Sequence, residues 1–181
     1  MAETPLILPW TNFYVLTGSA AAALTGLMFV VITLVASEEL LTQSPDGIAA
    51  FSTPTVLFFA SAMFVSATMC APWPSLAGPD IAVGLLGAGG LAYLARVSYL
   101  AQRLESYRPD LEDWIWYTIL PIVAYGVLLV AAFVLRAHPV EVLFVFAGSV
   151  LLLIFIGVHN AWDVVTYLVV GGGGGTPPAS V

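Results

Sequence analysis

The side chains best able to do chemistry lie in one short stretch, Gly157-Val158-His159-Asn160-Ala161-Trp162-Asp163-Val164-Val165-Thr166-Tyr167, near the end of the last apolar segment. On a helix advancing about 100° per residue, His159, Asp163 and Thr166 share one stripe, with Asn160 and Tyr167 beside it and Trp162 on the other flank. Histidine changes charge near neutral pH, and an aspartate one turn away can take up its proton or share a small cation. Two readings follow. In one, His159 and Asp163 line a wet vestibule that exchanges protons or coordinates a cation. In the other, His159, Asn160 and Asp163 anchor a helix at the inner membrane surface, with Trp162 and Tyr167 in the aromatic belt. The depth of the segment decides between them, and the sequence leaves that depth open.

Other chemistries find less support. A zinc site takes three or four ligands, and the chain has 2 histidines, His138 and His159. On a rise of 1.5 Å per residue these stand about 31 Å apart, too far to clasp one haem, which leaves a single-histidine ligand to a pigment or haem. No nucleophile elbow, phosphate loop or HExxH pattern is present, so no catalytic residue is named, no metal ligand set is assigned, and any cofactor is unknown. Cys70 is the only cysteine, which excludes an intrachain disulfide or a cysteine-based cluster.

The elements that must carry this stretch are membrane helices. Hydrophobic residues make up 60% of the chain and charged residues 8%, against about a quarter charged in a soluble domain. The 181 residues hold five spans of roughly 20 residues each and leave no room for a separate soluble domain. The expected fold is therefore all-α, a polytopic integral membrane bundle of five transmembrane helices forming a single domain over 1–170. The spans are expected at about 13–36, 54–71, 81–101, 114–135 and 140–168, followed by a flexible Gly/Pro-rich cytoplasmic tail over 171–181. The N-terminus lacks the positive region of a secretory signal and reads as a retained first span.

Packing signals punctuate the spans. Gly18, Ala22 and Gly26 recur at four-residue spacing and predict a face for close helix approach; Thr17, Ser19, Thr25 and Thr33 are read as bonding their own backbone before lining a pore. Gly84, Gly87, Gly89 and Gly90 crowd the first half of the third span and predict another close approach. Ser44-Pro45-Asp46-Gly47 is a turn signal, Ser52-Thr53-Pro54 is expected to start the second span, and Pro72-Trp73-Pro74 to end it. Pro121, inside the fourth span, predicts a kink with a disturbed carbonyl near Tyr117. The fifth segment is about 31 residues, roughly 46 Å as a helix, so it must tilt, break near the His159–Asp163 cluster or run out along the surface.

Charge sets topology and partners. Eleven acidic residues face 4 basic ones, all arginine, for a net charge of −7, which removes nucleic acid from the partner classes. Arg96, Arg103 and Arg108 cluster towards one end and Arg136 at the other, so the positive-inside rule places the C-terminus in the cytoplasm and the N-terminus outside, in a bacterial inner membrane. Trp10 and Trp73 then mark one interface and Trp114, Trp116 and Trp162 the other. Arg96 either snorkels to the headgroups or pairs with a buried acid, and this topology allows an Arg96–Asp163 contact. The expected partners are the lipid bilayer and a second copy or another membrane protein. The function read from these residues is a small oligomeric pathway for protons or cations, with His159, Asn160, Asp163, Thr166 and Arg96 as its candidates. The alternative is an accessory or assembly subunit of a larger membrane complex.

Overall fold

A computed structural model describes residues 4–37, 45–101 and 111–171 of the chain. Glu38 and Glu39, Ser44 of the expected turn, the loop bearing Arg103 and Arg108, and the tail beyond Gly171 lie outside the described residues. The side chain of Tyr167 lies outside them as well. Among the described residues every regular element is helical, and five stretches are long and apolar enough to cross a bilayer.

A helical turn, Thr4–Ile7, and a 3-10 turn, Leu8–Trp10, lead into helix α1, Thr11–Ser37. Helix α2 is Pro45–Cys70, α3 is Ala77–Ala101, α4 is Leu120–Val134 and α5 is Pro139–Gly171. Two boundaries differ from expectation. Helix α2 begins at Pro45, so Pro54 lies inside it and not in its first turn, while its apolar stretch, Thr53–Cys70, begins where the second span was expected. Helix α3 begins at Ala77, which puts Pro79 and Asp80 in its first turn. There the missing proline N–H costs nothing and the aspartate faces the positive end of the helix dipole.

The helices alternate in direction. Thr17 near the start of α1 meets Ser66 near the end of α2, 3.1 Å between hydroxyls, so these two are antiparallel. The Tyr14 hydroxyl reaches the Leu143 carbonyl at 3.4 Å near the start of α5, so α1 and α5 run the same way. Helices α2, α5, α4 and α3 form a ring in which α3 touches α2 only lightly, and α1 packs outside it against α2 and α5. The centre is filled by Phe58, Phe59, Tyr125, Leu128, Phe146, Leu153 and Ile156, all 0% exposed.

Close approach is concentrated at a few glycines. A methyl group on Gly87 would sit 2.8 Å from the Leu129 backbone nitrogen, and one on Gly90 would sit 2.3 Å from the Tyr125 ring. The α3–α4 crossing therefore depends on the absence of side chains there. Gly84 belongs to the same face, in ordinary contact distance of Ala132 at 3.4 Å. On α1 the outcome is different. Gly18 packs on Ser66, where a methyl group would come within 2.9 Å, but Ala22 is exposed and a methyl group on Gly26 would meet nothing within 4 Å. The buried stripe of α1 runs through Tyr14, Thr17, Ala21 and Met28, the seven-residue repeat of a left-handed crossing rather than a strict four-residue ridge.

Candidate functional site

Helix α5 passes through the polar stretch without a break, running 33 residues as one α-helix. Of the three ways to accommodate its length, breakage at the cluster is thus not the one adopted. Its His159 and Asp163 side chains stand 3.8 Å apart, Nε2 to Oδ2, within ion-pair range but beyond a good hydrogen bond. His159 is 21% and Asp163 41% exposed, so the pair sits at the rim of the bundle, half-shielded.

The shielding comes from an element the sequence hinted at only indirectly. Before α4 the chain forms a helical turn, Leu111–Trp114, and then a π-helical turn, Ile115–Ile119, which ends just ahead of Pro121. A proline lacks the N–H that an α-helix needs and its ring collides with the carbonyl four residues back, Tyr117; widening the preceding turn resolves both. The kink expected from Pro121 is realised as this π turn. Its Trp116 ring packs against the His159 imidazole with centroids 3.8 Å apart and planes at 65°.

Asn160, one position and about 100° on, is the buried member of the cluster. It is 0% exposed, and among the described residues neither its Oδ1 nor its Nδ2 has a hydrogen-bond partner. An unpaired amide in apolar surroundings costs roughly 2–7 kcal/mol depending on the reference solvent. Just before it, Gly157 lets the Phe59 ring of α2 lie against the α5 backbone; a methyl group there would fall 2.5 Å from that ring. Asn160, three residues on, shares the Gly157 face of α5 by helix register, the face turned to α2.

The remaining candidates divide. The Thr166 hydroxyl donates to the Asp163 carbonyl at 3.0 Å, so it returns to its own helix. The same is true of Thr17, Thr25 and Thr33, which donate to the carbonyls of Phe13, Ala21 and Phe29 at 2.9, 2.8 and 2.7 Å. Arg96 is exposed on α3, which packs on α4 and α2, and the Arg96–Asp163 contact is not formed. The contact that the topology allowed is absent because α3 and α5 lie across the ring from each other: equal depth does not make two helices neighbours. Trp162 is 68% exposed and faces away from the cluster.

Three polar contacts were not anticipated. Ser61 and the Tyr125 hydroxyl bond at 2.7 Å between α2 and α4 in the buried centre. The Trp73 indole donates to the Thr68 carbonyl at 2.7 Å and folds the α2–α3 turn over Gly78. Arg136, at the α4–α5 turn, pairs with Asp80 at the start of α3. Each joins side chains far apart in the chain or across a turn, where no periodicity signals the partner. Among the described residues no three His, Cys, Asp or Glu side chains gather as a metal site. Comparison of the chain with protein-family models, with curated proteins and with solved structures gives no match.

Proposed function

We propose that this multi-pass membrane protein forms a small oligomeric pathway for protons or small cations, entered past His159 and Asp163. The observation that carries the reading is the juxtaposition at the end of the bundle: a titratable pair at 3.8 Å, a tryptophan on the imidazole and a fully buried polar carboxamide next in sequence. An ionisable pair that served only as an anchor has no need of a polar group behind it in the seam, where burial is costly. By the arginine distribution this end faces the cytoplasm of a bacterial inner membrane, with the N-terminus outside. Asp163 holds positive charge at the mouth, His159 beside it is the proton-exchanging side chain, and Trp116 closes one side. Thr166 caps Asp163 from its own helix and Arg96 has no part in the pair.

The test separates flux from folding. In liposomes loaded with a pH-sensitive dye, Asp163→Asn and His159→Ala are expected to cut proton or cation flux at least tenfold while the mass of the assembly by native mass spectrometry is unchanged. Undiminished flux in both variants would sink the proposal. An accessory role is the second reading, favoured by one observation: Ala22 and Gly26 are exposed on α1, leaving a close-approach face unused inside the bundle. Loss of assembly in Asp163→Asn would support that reading.

A further inference from the structure

We infer that Asn160 binds an internal water molecule in the α2–α5 seam, behind the His159–Asp163 rim. The chemistry of the occupant follows from what is unpaired. Nδ2 needs an acceptor and Oδ1 needs a donor. A bare cation would satisfy only the oxygen and a bare anion only the nitrogen. A side chain from a second copy cannot reach a group that is 0% exposed. Water both donates and accepts, and it is small enough to enter a packed seam.

The helix register locates the site. Helices α2 and α5 are antiparallel and Gly157 lies against Phe59, so one turn further along α5 is one turn back along α2. That step brings Asn160 level with Thr55, whose side chain is 0% exposed. The two bonds that Asn160 itself offers are the lower end of the two to four partners an internal water requires. The inference rests on the pathway reading for its route of filling: water arrives past His159 and Asp163.

The sequence makes the test unusually clean, because Asn12 and Asn160 are its only asparagines. Full-length protein labelled with ¹⁵N-asparagine and ¹⁵N-isoleucine and reconstituted in lipid bilayers shows two side-chain amide signals in solid-state NMR, beside the isoleucine backbone amides. Asn12→Ser removes one signal and so assigns the other, even should an Asn160→Leu protein fail to fold. Magnetisation transferred from water is expected to reach the Asn160 amide several-fold faster than the Ile156 backbone amide one turn away, which lies in the dry core. Equal build-up at Asn160 and Ile156 would overturn the inference, whatever the flux. A hydrated Asn160 in a protein that conducts nothing would support the water site and remove the pathway.

Discussion

At the residue scale the account turns on which polar side chains are satisfied by their own helix and which are not. Thr166, Thr25 and Thr33 bond backwards to their own helix, whereas neither amide atom of Asn160 has a partner among the described residues. The Ser61–Tyr125 bond is the opposite case, a buried pair of hydroxyls that satisfy one another. Tyr125→Phe is expected to lower stability by about 0.6 kcal/mol, the mean for such bonds within a bilayer, as read by unfolding equilibria in bicelles. A loss several times larger would mean that the pair anchors more of the bundle than one bond. The polar stretch itself was legible because His159, Asn160 and Asp163 interrupt an apolar run. Their partners were not: Trp116 lies 43 positions upstream of His159 on another helix, and only the packing of α4 on α5 brings them together.

At the element scale two devices position the site. Glycines set the α3–α4 distance. Gly87→Ala should cost about 1–3 kcal/mol, because the added methyl meets Leu129 backbone that cannot move aside. Gly26→Ala should leave stability unchanged or raise it by up to about 1 kcal/mol, since that position is open and alanine is the better helix former. The same unfolding measurement ranks the two variants, and a reversed order would refute the assignment of the packing faces. The second device is the π turn before Pro121. Pro121→Ala removes its cause and restores ordinary α register, which turns Trp116 by about 100° away from His159. The ring-current shift of the His159 imidazole protons should then collapse towards its random-coil value; an unchanged shift would show that Pro121 does not hold the turn. The helices and the proline fault were readable from hydropathy and residue type. The face that α1 buries was not, because small residues repeat on two of its sides and only the partner helix selects one.

At the scale of the whole molecule, five apolar helices of alternating direction make a bundle whose two ends differ in chemistry. One end is tied by the Arg136–Asp80 pair and the Trp73 turn; the other carries Trp116, His159 and Asp163. Orientation can be read from the chain's own probe. Cys70 is exposed at the end of α2, on the Trp73 side, so a membrane-impermeant maleimide added to intact cells is expected to label it. Labelling only after the cells are opened would invert the topology and place His159 outside. The most direct test of the central claim is flux through the purified protein alone, in liposomes with an imposed pH difference and a potassium clamp. The account predicts dissipation well above that of protein-free liposomes, abolished by Asp163→Asn. Rates equal to those of empty vesicles, for protein shown to be folded and inserted, would contradict it.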